Sequence, residues 1–138
     1  MKIRVQSPQQ QGSVLLEALV AILIFSIGIL AVIGLQATAI NASSQAKYRS
    51  EASMLANDLI GQMYIADPTA LVGSFSSANG PAYIAWAARV TAILPGAIAA
   101  PPVVDVQPNG VTTINIFWRA PGDESATARK YAIVAQIQ

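Results

Sequence analysis

The hydrophobic pattern separates the first third of the chain from the rest. Residues 13–35 (SVLLEALVAILIFSIGILAVIGL) form an apolar run in which Glu17 is the single charge. A helix needs about 20 apolar residues to cross the hydrocarbon core of a bilayer, so this run predicts a membrane-spanning helix. A charged side chain in such a helix costs on the order of 2.5–3.5 kcal/mol at its centre and less near its end. An anchor alone gives no reason for this acid, and we predict that Glu17 has a partner.

The same helix is predicted to continue beyond the membrane, because residues 13–66 contain no proline. Its second half is amphipathic, with apolar residues at spacings of three and four, as in a helix that packs on one side. This apolar stripe consists of Tyr48, Ala52, Leu55, Leu59, Met63 and Ala66. Pro68 disfavours helical geometry at Asp67 and is predicted to end the helix.

The remaining sequence predicts a loop over residues 67–81 and then a small antiparallel sheet of three or four strands. The predicted strands are Tyr83–Leu94, Val103–Val106, Val111–Arg119 and Arg129–Ile137. Two prolines before Val103 mark its strand as an edge, Pro108-Asn109-Gly110 predicts a turn, and residues 121–128 make the last connection. The predicted fold class is therefore α+β, with the sheet packed on the amphipathic half of the long helix.

Alternation within the strand Val111–Arg119 separates two faces of the predicted sheet. One face carries Val111, Thr113, Asn115, Phe117 and Arg119, and the other carries Thr112, Ile114, Ile116 and Trp118. We expect Trp86 and Trp118 to be aromatic residues of the core or rim of the sheet rather than a platform for a ligand.

Composition disfavours catalysis and nucleic-acid binding. The chain has no His and no Cys, which removes the usual general base, the thiol nucleophile and the commonest zinc ligands. The net charge is +1, and basic residues cluster only at Lys2/Arg4 and Arg129-Lys130, too few for a nucleic-acid surface. Ser125 has no histidine to activate it, and Asp123-Glu124 predicts a solvated turn. We expect no enzymatic activity and no cofactor or metal.

Three ordinary interpretations of the N-terminal region explain it poorly. A plain signal anchor leaves Glu17 unexplained. A cleaved secretory signal could use Ala37-Thr38-Ala39, but its apolar region is usually about 7–15 residues long and carries no acid. A transit peptide would be rich in Arg, and this region is not.

A fourth interpretation accounts for the polar leader, the glycine and the acid together. After a leader with Lys2 and Arg4, the chain contains Gly12-Ser13-Val14-Leu15-Leu16-Glu17, which resembles the cleavage motif of prepilins. The resemblance implies that prepilin peptidase cuts between Gly12 and Ser13, that Ser13 is N-methylated, and that Glu17 acts in subunit assembly by meeting the N-terminal amine of a neighbouring subunit. Opposite charges attract strongly in a low-dielectric environment.

Further segments are similar to the PilV family of type IV minor pilins, also called type IV pilus modification proteins. The segments that carry this resemblance are residues 26–30 (SIGIL), 34–36 (GLQ), 56–63 (ANDLIGQM) and 114–119 (INIFWR). It implies a type IV pilin-like fold with a leader peptide at 1–12, a hydrophobic transmembrane and assembly segment at 13–40 and a periplasmic globular domain at 41–138. Two departures from major pilins, Ser13 in place of their usual Phe and the lack of a C-terminal cysteine pair, argue against a bulk filament subunit.

The resemblance also implies location and partners. The chain would span the bacterial inner membrane once, N-terminus inside, and reach the pilus tip or cell surface after assembly, with roles in adhesion and twitching motility. Its partners would be other minor pilins, the major pilin, a PilY-type tip adhesin, prepilin peptidase and the inner-membrane platform protein.

Two alternatives stay open on the sequence: an I-type minor pseudopilin of type II secretion, and a bitopic membrane protein with a periplasmic binding domain. Gly28 and Gly34 also leave two interpretations, close helix packing or local melting of the helix on assembly. Each glycine weakens a helix by about 1 kcal/mol relative to Ala.

Overall fold

The computed structural model describes residues 10–77, 79–122 and 127–137. Its elements in chain order are α1 Gln10–Tyr64, a short 3-10 helix Pro68–Ala70, α2 Leu71–Phe75, α3 Pro81–Ile93, β1 Val103–Val106, β2 Val111–Trp118 and β3 Arg129–Gln136. The leader residues 1–9 and the Asp123-Glu124 and Ser125 predictions lie outside the described residues. The chain divides into two compact units, the first ending at Ala42 and the second beginning at Ser43.

The predicted long helix is confirmed, beginning at Gln10 and ending at Tyr64. The stripe is also confirmed: Ala52, Leu55, Leu59 and Met63 are buried, and Tyr48 and Ala66 pack partly buried against the same core. Ala56 is fully buried as well, one turn beyond Ala52, and widens the buried face. The part of α1 after Ser43 is therefore a core element of the second unit.

The prediction of a strand at Tyr83–Leu94 was wrong, because residues 81–93 form the helix α3. Gly80 is its N-cap and Pro81 occupies the first turn, where a proline lacks only an N–H that would be unpaired anyway. The buried residues are Tyr83, Trp86 and Val90, which repeat at helical rather than strand spacing. Trp86 therefore belongs to a helix and not to the sheet.

The predicted loop over residues 67–81 was also wrong in part, since it contains the 3-10 helix and α2. The Asp67 carboxylate accepts hydrogen bonds from the Thr69 hydroxyl at 2.7 Å and the Thr69 backbone N–H at 2.8 Å. Both hydrogen bonds stabilise the charged carboxylate and hold the pKa of Asp67 below its usual value, and the bond from the Thr69 hydroxyl has the larger effect. Leu71 and Phe75 then bury the inner side of α2.

The sheet has three antiparallel strands in the order β1-β2-β3, so β1 is an edge strand as predicted. The two predicted faces of β2 are confirmed by its alternating burial, with Thr112, Ile114, Ile116 and Trp118 buried. The predicted turn joins β1 to β2, and Gly110 adopts a φ of 82° there. A methyl group at that position would also collide with the carbonyl oxygen of Ile137, so the turn requires glycine.

The two tryptophans connect the helices and the sheet within the second unit. Trp86 is fully buried, and its ring N–H donates to the carbonyl of Leu55 at 2.9 Å. Trp118 is 4% exposed, and its ring N–H donates to Gln45 Oε1 at 3.2 Å. Trp86 thus joins α3 to α1, while Trp118 joins β2 to α1.

Thr112→Val is expected to stabilise the second unit by about 1 kcal/mol, because a buried polar group without a partner costs roughly 1–3 kcal/mol. Thr112 is fully buried on β2, and its hydroxyl has no hydrogen-bond partner in the described part of the chain. Valine has almost the same shape and no hydroxyl. Thermal unfolding of the full chain in detergent measures the change. Thr112→Ser is the control: it keeps the hydroxyl, loses the methyl group and should destabilise, whereas equal effects of the two substitutions would contradict the prediction.

Candidate assembly site on the long helix

The N-terminal part of α1 exposes an apolar surface. Every residue from 12 to 43 is exposed, including large apolar side chains such as Leu19, Phe25 and Leu30 at 68–69%. Among the described residues, α1 is the one helix that is long and apolar enough to cross a membrane. A surface of this kind is stable in lipid or against other apolar helices.

Two hydroxyl side chains on this surface bond to the helix backbone, whereas the one charged side chain does not. Ser26 donates to the carbonyl of Ile22 at 2.7 Å, and Thr38 donates to the carbonyl of Gly34 at 3.1 Å, as hydroxyl side chains commonly do in apolar helices. Glu17 has no hydrogen bond or ion pair to any residue that the structure describes. A partner for this carboxylate would therefore have to come from outside that part of the chain.

The structure places Gly12, Ser13 and Glu17 in the N-terminal part of α1, all exposed. Ser13 and Glu17 are four residues apart and lie one turn apart on the same face. The Gly12–Ser13 bond lies within the first turn of the helix, so cleavage there would require that turn to unwind. Glycine lowers the cost of unwinding by about 1 kcal/mol relative to Ala.

A shallow groove lies on the first unit around Gly28. An added Cβ at Gly28 would meet no other heavy atom within 4 Å, and the same holds at Gly34. The groove has a volume of about 530 Å³ and is lined by Phe25, Gly28, Ile29, Val32, Ile33 and Gln36. The helix is continuous through both glycines. Missing side chains of this kind let a neighbouring helix approach closely.

A basic cleft in the second unit was not predicted. It has a volume of about 450 Å³, and its lining residues are Gln45, Ala46, Arg49, Trp118, Arg129 and Lys130. The sequence shows only part of this cleft, the adjacent pair Arg129-Lys130. Arg49 lies 80 positions before Arg129 and reaches the pair because α1 packs on the sheet, so no local sequence pattern joins the three residues.

Within the described residues, no group of three or more His, Asp or Glu side chains could hold a metal ion. Glu17 is the single charged residue among the described residues of the first unit, and a carboxylate on an apolar helix can pair with a cation. The chain matches no protein-family model, no curated protein and no solved structure.

Proposed function

We propose that this chain is a minor pilin of a type IV pilus. In this proposal prepilin peptidase removes residues 1–12 and methylates the new amine of Ser13. The mature subunit acts in a tip or priming complex that initiates pilus assembly and supports display of an adhesin. The observation that carries the proposal is the organisation of α1, an exposed apolar segment with one acid near its start, followed by a segment that completes the core of a sheet-containing unit.

The position of Glu17 supports assembly rather than anchoring. Cleavage after Gly12 would create a cationic amine at Ser13, so each subunit would carry one positive and one negative group on an apolar surface. An unpaired charge in such surroundings is strongly unfavourable, and pairing removes most of the penalty. Pairing of Glu17 with the amine of a neighbour would therefore define the register between adjacent helices.

The second half of α1 supports a subunit that leaves the membrane with its domain folded. Ala52, Leu59 and Met63 are each at most 1% exposed and belong to the same core as the sheet. This core uses no residue of the apolar segment. Extraction of that segment from lipid into a filament therefore removes no core side chain of the second unit.

The proposed location and partners are those that the resemblance to the PilV family implies. Before assembly the chain would span the inner membrane once, and after assembly it would lie at the pilus tip or cell surface. The apolar segment would pack against the major pilin and other minor pilins, with the groove at Gly28 as a site of close approach. The platform protein and a PilY-type adhesin would act on the assembled complex.

Cleavage is the first test of the proposal. When the chain is co-expressed with a prepilin peptidase, we expect its intact mass to lose residues 1–12 and gain one methyl group. Gly12→Val should stay uncut, because its branched side chain prevents the close approach to the peptidase that a glycine backbone allows. Ser13→Ala is the matched control at the other side of the bond and should still be cut.

Two results would contradict the pilin proposal. An uncut chain in the presence of an active peptidase would favour a bitopic membrane protein. A mature chain that begins at Ile40 would instead indicate a secretory signal cleaved after Ala37-Thr38-Ala39.

A further inference from the structure

Among the described strands, β3 has the more open outer edge. On the free side of β1, Val104 is covered by Ser77, whose backbone N–H and hydroxyl both donate to the Val104 carbonyl at 2.9 Å. On the opposite side, β3 pairs only with β2 among the described strands. The outer edge of β3 is therefore the place where another strand could be added.

The register identifies which backbone groups face this edge. The N–H of Ile137 donates to the carbonyl of Gly110 at 2.9 Å, and bonding positions alternate along an antiparallel pair. The odd-numbered residues of β3 therefore bond to β2, and the backbone groups of Lys130, Ala132 and Val134 point outward. Within the described chain, those of Ala132 and Val134 have no hydrogen-bond partner.

Beyond Lys130, the edge lacks the usual features that prevent strand addition. Natural sheets protect their edges with charges, prolines or bulges, whereas residues 131–136 (YAIVAQ) contain no charge, no proline and no glycine. The end of the edge at Gln136 is blocked, because the Tyr64 hydroxyl donates to the carbonyl of Gln136 at 2.9 Å. The accessible edge therefore extends from Lys130 to Val134.

The end of this edge at Lys130 lies beside the basic cleft. Arg49, Arg129 and Lys130 line the cleft, and all three side chains are exposed. Neither Arg49 nor Lys130 forms an ion pair with a described residue. A strand added antiparallel to β3 would run toward Lys130 and end at these cations, which favours a carboxylate at its C-terminus.

We propose that the open edge of β3 binds an extended C-terminal peptide of a partner protein, antiparallel to β3, with the terminal carboxylate in the basic cleft. Backbone hydrogen bonds supply affinity in this mode of recognition, and alternate side chains supply specificity. Val134, 65% exposed, and Ala132 would favour uncharged, β-branched partner residues. The proposal goes beyond a role in pilus assembly and does not depend on it.

A second copy of this chain fits the edge less well. Antiparallel pairing of β3 with itself about Ile133 would place Lys130 opposite Gln136, whose carbonyl already accepts from Tyr64. Among the described residues, such pairing places no Asp or Glu side chain opposite Lys130. Charge complementarity therefore favours a partner strand that ends in a carboxylate.

Peptide binding to the full chain in detergent tests the proposal. The probe is a fluorescent, N-acetylated peptide of alternating threonine and valine, as long as β3, with a free C-terminal carboxylate. We expect roughly tenfold weaker binding of the C-terminally amidated peptide, because hydrogen bonds to a charged group are about twice as strong as neutral ones. Arg49→Gln and Lys130→Gln should reduce the preference for the carboxylate.

Substitutions on the two edge strands separate strand addition from simple charge attraction. Val134→Lys should weaken binding of both peptides, whereas Val103→Lys, which adds the same charge on the exposed face of β1, should leave binding unchanged. Val134→Pro should abolish binding and keep the fold, because its N–H faces outward and is not needed for pairing with β2. Equal binding of both peptides to all these variants would overturn the proposal.

Disulfide capture measures the direction of the added strand, since the chain has no cysteine of its own. Antiparallel addition, with the last peptide residue opposite Lys130, pairs Val134→Cys with a peptide cysteine fifth from the C-terminus and Ala132→Cys with one third from it. The reverse preference would indicate a parallel strand, and disulfide-linked dimers of the chain would indicate a second copy. Either result would overturn the proposal while leaving the cleavage test unaffected.

Discussion

Trp86→Ala is expected to reduce the free energy of unfolding of the second unit by about 3–5 kcal/mol, the usual cost of removing a buried aromatic side chain. Trp86 is fully buried and is the largest of the fully buried side chains. Its ring contacts Tyr83 at a centroid distance of 6.2 Å, and its N–H donates to the Leu55 carbonyl. The substitution therefore opens a cavity and removes a link between α3 and α1.

Denaturant unfolding of the full chain in detergent can measure this loss, followed by the fluorescence of Trp118. Trp86→Phe keeps most of the ring and loses the N–H, so its effect should be intermediate. Ile84→Ala, at a 55% exposed position of the same helix, is the control and should change stability by less than about 1 kcal/mol. A loss below that size for Trp86→Ala would mean that α3 is not part of the core.

The helix that contains Trp86 shows where prediction from the sequence failed. The long helix could be predicted because its apolar stripe persists over several turns. β2 could be predicted because Ile114, Ile116 and Trp118 recur at every second position, and its alternating burial agrees. Residues 83–94 form a short apolar run, and periodicity alone does not assign such a run to a helix or a strand. Its aromatic and β-branched residues favour a strand, which explains the wrong prediction. The spacing of Tyr83, Trp86 and Val90 decides for the helix, and that spacing is visible only when the buried subset is known.

The candidate sites also differ in whether the sequence alone could predict them. Gly12, Ser13 and Glu17 lie within six consecutive residues, so a local motif can carry the hypothesis of cleavage and assembly. The cleft combines Arg49 from α1 with Arg129 and Lys130 from β3, and the open edge depends on strand order and register. Such non-local features follow from packing and have no sequence signature of their own.

Glu17→Ala is expected to reduce incorporation of the mature subunit into pili by roughly tenfold or more, since loss of one partner from a pair in low dielectric leaves the other charge uncompensated. Cleavage and membrane insertion should be retained. Immunoblots of sheared pili against the membrane fraction measure the ratio of assembled to unassembled subunit. Glu17→Gln, with the same shape and no charge, should also be defective, and Glu17→Asp should keep part of the activity.

This substitution separates an anchor from an assembly element because only the assembly role predicts a loss of incorporation into pili. In an anchor, Glu17→Ala removes a costly charge from the apolar segment and makes membrane residence more favourable. In an assembling subunit, it removes the partner of a neighbour's amine and leaves the chain in the membrane. Ser26→Ala is the matched control, since its hydroxyl bonds only within the helix. Normal incorporation of Glu17→Ala beside normal Ser26→Ala would exclude Glu17 from subunit pairing, and the acid would then need another explanation.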